Sequence, residues 1–532
     1  MKNNKGITLI ALIITIIVML ILAGISLTFT IGDEGVISKA ENAKEEKRAA
    51  EVAEIIDVWN AAKQVDILGN NGKRTTKTFN EQVDELVNNK LLSEKEAEIV
   101  RNHGIIKIGS RLITILDGAP KLQSDMKAVY WDDNNNEITS DDKNFDIEKY
   151  YSYTEKRWAN AKTSDGSYWV WIPRYAYCIT DGYHSSHAGN IDIKFLDRYN
   201  CYIEDNENGK EEKTPEDGML KINVNEIDYI NVTNGQSQQQ YLVHPAFTRN
   251  ADNGGGFGEI TGIWVAKFKM SGENSNNGNI WNEISYYSAA SGNKLTTNAG
   301  NDEERIRIVS KPGKKNWDNI DIVKAYLNSK NYDINKKSHL IKNSEWGAIA
   351  YLSYSKYGIN YGEERNAIKE VDSIYAGGGI EDTFKEKLDT TTTFNIYGVY
   401  DMNNGYDWEY TASYFSFVNS LEFYEDAKVY VEDGGKDSTA YKTVYEIKEE
   451  KKGDAIMEIS DLNDSICQVW INHRACLGNK SALDNENCQP FFLRGSSPGN
   501  TGYARQGGIL FSGDTDLNPE GTRSFRVCLV VD

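Results

Sequence analysis

The sequence predicts an α+β protein: a long apolar N-terminal helix, a small helical domain, then a mixed domain of short strands with insertions. Three observations predict it. No charged side chain stands between Gly6 and Gly32. Apolar residues then recur at helical spacing through segments that end at Arg101. Beyond them, short runs rich in Tyr, Trp and Ile alternate with stretches rich in Gly, Asn and Asp. The boundaries implied are 1–35 for a leader and membrane-crossing helix and 36–118 for a stalk helix with a small helical and hairpin domain. A linker region follows at 119–167, and the mixed domain spans 168–532.

As a helix, the uncharged segment of roughly 25 residues would be about 38 Å long, enough to cross a bilayer with some tilt. Lys2 and Lys5 precede it, and Asp33 and Glu34 follow it. The positive-inside rule therefore places the N-terminus in the cytoplasm and the rest of a single-pass chain outside the cell membrane, with residues 7–31 in the lipid. Gly6, Ile7, Thr8 and Leu9 resemble the start of a prepilin-type signal of the type IV pilus class. That resemblance implies cleavage between Gly6 and Ile7 by a prepilin peptidase, methylation of the new N-terminus, and association with pilus subunits. The sequence departs from the family at Ile7, where Phe is usual, and at Ala11, where Glu is usual. In pilins that Glu pairs with the amine of a neighbouring subunit, and an unpaired amine in a low-dielectric core is costly. Ala11 cannot make the pair, which implies the tip of a pilus or a solitary anchor. A plain uncleaved anchor is the alternative. A secretory signal cut near Ala23-Gly24 fits less well, because the apolar run exceeds the ~7–15 residues of such a signal.

A chain of 532 residues with 39% hydrophobic residues is long enough for two or three domains with a buried core. Its 31 Tyr and 11 Trp against 8 Pro favour an aromatic-rich β or mixed domain. A net charge of −20 argues against nucleic acid as a partner. Six cysteines in this length are too sparse for a disulfide scaffold. Cys178, His184, His187 and Cys201 are zinc-ligand types in one short span; a zinc site, a 178–201 disulfide and separate thiols all remain open. The scattered histidines give no Ser-His-Asp signature.

In chain order, a helix is predicted from Val36 to Lys63, with Val52, Ile55, Ile56 and Trp59 on one face and a stop at Gly69–Gly72. A second is predicted over Phe79–Asn88. A third, over Glu94–Arg101, is opened by a Ser93/Glu96 capping box. Ile105–Ile108 and Leu112–Ile115 read as a hairpin about Gly109-Ser110. Residues 132–148 read as a polar linker or long loop, and 204–217 and 425–454 as charged insertions. Tyr168–Ile172 and Ile263–Phe268 read as strands. Gly254–Gly258 opens no helix and has no Lys-Ser/Thr partner, so it is a loop and not a phosphate cradle. Ser344-Glu345-Trp346 begins a helix, and Phe525–Val531 is an apolar run of strand length. Arg526 within that run demands a carboxylate partner if buried, with Glu345 or Glu409 available.

Three blocks carry a second resemblance: His339–Ala348, Asn395–Met402 with Asp407–Tyr410, and Arg494–Ser496 with Ser524–Val527. In that order they resemble the formylglycine-generating-enzyme-like (sulfatase-modifying-factor) family, a branch of the C-type-lectin fold, over roughly Tyr168 to Asp532. The resemblance implies a C-type-lectin-like domain of twisted short strands. It also implies a calcium loop, for which Asp401, Asn404, Asp407 and Glu409 are the matching candidates. The oxygen-dependent enzymes of the family act through two cysteines after the Arg-Gly-Gly strand. Residues 496–523 hold none, so no catalytic residue is assigned. In the same fold the loops before the last strand form an exposed binding face, which here contains Tyr503, Arg505 and Phe511. The function expected is a membrane-anchored, pilin-like surface protein that displays an adhesin-type domain to an unidentified surface ligand. The alternatives are an enzyme of the superfamily with another mechanism, and a purely structural pilus subunit.

Overall fold

The computed structural model describes residues 36–531 except 70–73, 184–189, 222–228, 233–234, 239, 250–254, 275–305, 318–319, 360–367, 369–372, 404–406, 417–427, 436, 447–450, 457, 459, 462–467, 470–490, 496–510 and 515–522. Three helices open the described part: α1 (Val36–Gly69), α2 (Phe79–Asn88) and α3 (Glu94–His103). Helix α1 buries Ala49, Val52 and Ile56 and leaves Val58 and Val65 exposed. Two of its charged residues reach partners on neighbouring elements. Glu46 accepts from Ser110 Oγ at 2.6 Å and Arg111 Nε at 3.0 Å, and Arg48 reaches Glu96 of α3 at 2.9 Å. Capping boxes open α2 (Thr78 with Glu81) and α3 (Ser93 with Glu96). Each satisfies backbone N–H groups that the first turn leaves without partners. Gly104, at φ +71°, ends α3 in the left-handed conformation that glycine adopts without strain. The hairpin β1 (Ile105–Ile108) and β2 (Arg111–Thr114) follows directly, with Ile105 opposite Thr114.

The next strands are β3 (Met126–Trp131), β4 (Glu137–Thr139), β5 (Asn160–Thr163), β6 (Tyr168–Pro173), β7 (Tyr175–Ile179), β8 (Ile191–Phe195), β9 (Tyr202–Asn206) and β10 (Gly209–Lys213). Then come β11 (Leu220–Lys221), β12 (Tyr241–Val243) and β13 (Gly262–Ala266), helix α4 (Ile322–Asn331), β14 (His339–Leu340) and helix α5 (Asn343–Tyr354). The chain closes with β15 (Trp408–Phe415), β16 (Thr443–Tyr445), β17 (Phe491–Arg494), β18 (Phe511–Asp514), β19 (Arg523–Phe525) and β20 (Val527–Leu529).

The largest sheet is antiparallel throughout and runs β14-β20-β13-β6-β5-β3-β4, so the last strand of the chain lies between residues 262 and 340 in space. A second sheet runs β11-β12-β7-β8. A third, the terminal sheet, runs β16-β15-β17-β18, with β19 also paired to β15. Trp158, Trp169, Trp171, Trp264 and Trp346 are fully buried, and one apolar core continues from Ala49 and Val52 of α1 to Val531.

The fold corrects the α+β expectation of a long apolar N-terminal helix, a small helical domain and a lectin-like mixed domain. The described chain is built mostly of strands and sheets, with few helices. Among the described residues, no helix is long and apolar enough to cross a membrane. The longest helix among the described residues, α1, carries charged residues along its length and buries Ala49, Val52 and Ile56. Residues 1–35, including the processing residues Gly6 and Ile7, lie outside the described residues.

Several local expectations hold in α1 to α3 and in the first hairpin, but others change. The polar stretch 132–148 contains β4 and the start of a helical turn, Ile147–Tyr150. The charged insertion 204–217 forms most of the β9–β10 hairpin. The stretch 425–454 contains a short helix, Lys428–Glu432, and β16. The final apolar run divides at Arg526 into β19, which joins the terminal sheet, and β20, which joins the large one. The run passes from one sheet to the other at that point.

Candidate functional site

Strand β15 pairs with β16, β17 and β19 of the terminal sheet. Glu409 of β15 faces Arg494 across β17 and Ser524 across β19. Its two carboxylate oxygens accept from Arg526 Nε at 3.0 Å and Nη2 at 3.3 Å. Arg526 also donates to the carbonyls of Ala266 at 2.6 Å and Tyr400 at 2.9 Å. Both side chains are essentially inaccessible to water. This is the carboxylate partner that the sequence demanded, and it is Glu409. Glu345 instead faces His339 Nε2 at 2.8 Å and accepts from the Lys342 N–H at 2.9 Å.

Beside the Arg526 pair lie two further acids. Asp401, held at φ +63°, accepts from the Gly377 N–H at 3.0 and 3.1 Å. Burial raises its pKa, against the opposing pull of Arg526. Asp407 accepts from Asn316 Nδ2 at 3.1 Å, and its carbonyl accepts from Lys269 Nζ at 2.5 Å. Burial lowers the Lys269 pKa, opposed by Asp407, Glu409 and Asp401. Asn404 lies outside the described residues.

A calcium ion needs six to eight oxygens left available to it. Here Glu409 is occupied by Arg526, Asp401 by a backbone amide and the Asp407 carbonyl by an ammonium. Lys269 and Arg526 already bring the positive charge that a cation would supply. Among the described residues, the Glu409 and Asp401 carboxylates are engaged by protein donors, and Lys269 and Arg526 offset two of the three acidic charges.

A second buried polar cluster gathers around Arg494 of β17. The Arg494 guanidinium stacks 4.0 Å from the centre of the Trp346 ring and donates to the carbonyls of Asp454 and Ala455, each at 3.2 Å. Burial pushes Arg494 down to about 10 and the Asp454 carboxyl up to about 7. Tyr445 donates to Asp454 at 3.0 Å. Glu458 accepts from Tyr177 at 2.8 Å, Tyr351 at 3.0 Å and the Gly453 N–H at 2.7 Å.

The segments 496–510 and 515–522 begin and end on this platform. Arg494 pairs with Phe511, Phe491 with Asp514, and Trp408 with Arg523. Of the ligand-binding candidates, Phe511 lies in β18, while Tyr503 and Arg505 lie outside the described residues. Cys178 and Cys201 carry thiols that are not joined to each other, each pushed up to about 12 by burial, and His184 and His187 lie outside the described residues.

Two features have no counterpart in the sequence reading. Lys267 is fully buried; it donates to Asn160 Oδ1 at 2.7 Å and to the carbonyls of Ile396 and Gly398 at 2.5 and 3.1 Å. Burial lowers its pKa well below the usual value. The signal was available: a charge inside the apolar run Ile263–Phe268 calls for partners as Arg526 does. The other feature is an open cleft of about 580 Å³ lined by His103, Tyr151, Phe195, Lys356 and Tyr357. These residues come from separate parts of the chain, so no local pattern announces the cleft.

No family model matches this chain, and no curated protein matches it.

Proposed function

We propose that this chain is a surface-displayed ligand-binding protein, held to the bilayer by its uncharged segment 7–31 and presenting segments 496–510 and 515–522 to an extracellular partner. The observation that carries the reading is the platform around β15, whose paired strands hold both ends of each segment. Binding residues characteristically sit on connections positioned by a rigid scaffold. Tyr503 and Arg505 supply broad contact area and hydrogen bonding at low entropic cost. The carboxylates beneath the platform are engaged by protein donors, which supports a framework role for them. Lys2 and Lys5, placed before the uncharged segment, support an extracytoplasmic location for the rest of the chain. Ala11 supports placement at a filament tip or as a solitary anchor over a repeating position.

The test is protease shaving of intact cells that carry the full chain, followed by binding to arrays of surface polysaccharides and extracellular-matrix proteins. The chain should be cut on intact cells, and a ligand captured by the wild type should be lost by Tyr503→Ala/Arg505→Ala. A chain protected until the cells are lysed defeats the reading. So does a ligand retained in full by the double variant.

A further inference from the structure

Three ligand types that zinc prefers converge in the core. His339 of β14 stands directly opposite Cys528 of β20 in an antiparallel pair, and directly opposed side chains project from the same face. Glu345 lies in the first turn of α5. Its Oε2 is tied to the Lys342 N–H at 2.9 Å, which turns Oε1 toward His339 Nε2 at 2.8 Å. His339 Nδ1 lies 2.7 Å from the Lys337 carbonyl. A carbonyl only accepts, so Nδ1 carries a hydrogen and Nε2 is the nitrogen turned to the cluster. This is the orientation that outer hydrogen bonds impose on metal-bound histidines. The nitrogen, the carboxylate oxygen and the Cys528 sulfur all lie within 4.8 Å of one another, and all three residues are buried.

We propose that His339 Nε2, Glu345 Oε1 and Cys528 Sγ bind one zinc ion that clamps the last strand of the chain to helix α5. A thiolate with an imidazole and a carboxylate favours zinc over the oxygen-seeking calcium and magnesium. Zinc–ligand bonds of ~2.0–2.3 Å in a tetrahedron separate the ligand atoms by roughly 3.3–3.8 Å. Zinc entry therefore opens the short His339–Glu345 contact and draws the sulfur inward. A water completes the tetrahedron. The Phe257 and Tyr441 rings, centred 4.8 and 6.0 Å from the imidazole, shield the site.

Binding forms Zn–N, Zn–O and Zn–S contacts and transfers no electron. It releases two protons, one from the thiol and one held between Nε2 and Oε1. Lys342 opposes a second cation, because its Nζ is 3.7 Å from Glu345 Oε1. It retains the Gly255 carbonyl at 3.3 Å and the Phe257 ring at 5.4 Å as partners when zinc binds.

The experiment uses the full chain, purified from zinc-supplemented cells, with metal counted by elemental analysis. The wild type should hold about one zinc per chain. After exchange to cobalt it should show a sulfur-to-cobalt charge-transfer band. Cys528→Ser should lose that band and weaken zinc binding by more than about 100-fold, beyond the ~10–100-fold typical of losing a supporting group. Lys342→Met should bind zinc more tightly than the wild type. If Cys528→Ser fails to fold, X-ray absorption of the wild-type zinc should still report one sulfur with nitrogen or oxygen neighbours. A folded wild type without zinc overturns the proposal, leaving a metal-free His–Glu–Lys ion cluster. Zinc retained in full by Cys528→Ser, or zinc without a sulfur neighbour, overturns it as well.

Discussion

Arg526 shows how much one buried residue decides. Its guanidinium binds Glu409 of β15 and the carbonyls of Ala266 and Tyr400, joining two sheets at the point where the last apolar run divides. Removing one partner of such a pair strands a charge in the core. Arg526→Met should therefore cost about 3–5 kcal/mol in urea unfolding. The double variant Arg526→Met/Glu409→Met should be less destabilised than the sum of the two singles; simple additivity would show that the pair is not coupled. His244 makes a second residue-scale prediction. It is fully buried among Tyr175, Tyr177 and Phe247, and burial pushes its pKa down from 6.5 to about 3. Between those values the unfolded chain takes up a proton that the folded chain refuses, so stability falls as the pH drops from 6.5 toward 3. The loss at pH 3 is on the order of 4 kcal/mol. His244→Phe should flatten the dependence of the urea midpoint on pH across that window. An unchanged slope would show that other groups cause the acid lability.

At the scale of elements, the local rules work wherever the interacting residues are close in sequence. The Ser93–Glu96 box and the Thr78–Glu81 box both form as their spacing requires. Glu96 is also the partner of Arg48, so it ties α3 to α1. Ser93→Ala should cost about 1 kcal/mol, and Glu96→Ala should cost more because it also leaves Arg48 without that partner. Equal losses in thermal unfolding would mean that the ion pair contributes nothing. Helix α5 depends on a close approach instead. A Cβ on Gly347 would meet the Gly453 carbonyl oxygen at 2.0 Å, and that backbone has no flexible side chain to move aside. Gly347→Ala should destabilise by about 1–3 kcal/mol or more through overpacking, despite the better helix propensity of alanine. A neutral or stabilising result would show that the 453–454 loop yields.

At the scale of the molecule, α1 is docked by buried ion pairs as well as by its apolar stripe. Asp117 accepts from Lys63 Nζ of α1 and from Arg198 Nε, each at 3.1 Å. Burial acts to raise the Asp117 pKa, but Arg198 and Lys63 outweigh it and hold the carboxyl well below the usual range. Arg74, just beyond α1, pairs with Glu212 of β10 at 2.7 Å and with Asp197 at 3.4 Å. Asp117→Ala leaves two buried cations without their shared anion, a loss of about 3–5 kcal/mol. Its first sign should be new proteolytic cuts within residues 53–69 while the sheets resist. Cuts that appear everywhere at once would mean that α1 and the sheets unfold as one unit.

The sequence by itself determined the interactions whose partners lie a few residues apart. These are the Ser93–Glu96 capping box, the turn at Gly109-Ser110 and the end of α1 at Gly69. It also determined that a charge such as Arg526, inside an apolar run, must find a partner, because an unpaired buried charge is too costly to keep. Which partner it finds was decided only by tertiary structure. Glu409 stands 117 residues away from Arg526, and Glu345 was equally acceptable by chemistry. The strand order β14-β20-β13-β6-β5-β3-β4 was decided there too, since apolar strands of similar composition can pair in many orders. The convergence of His339, Glu345 and Cys528 had the same origin. Residue types and spacing constrain local hydrogen bonds strongly, whereas contacts across hundreds of residues are selected by the packing of the whole core.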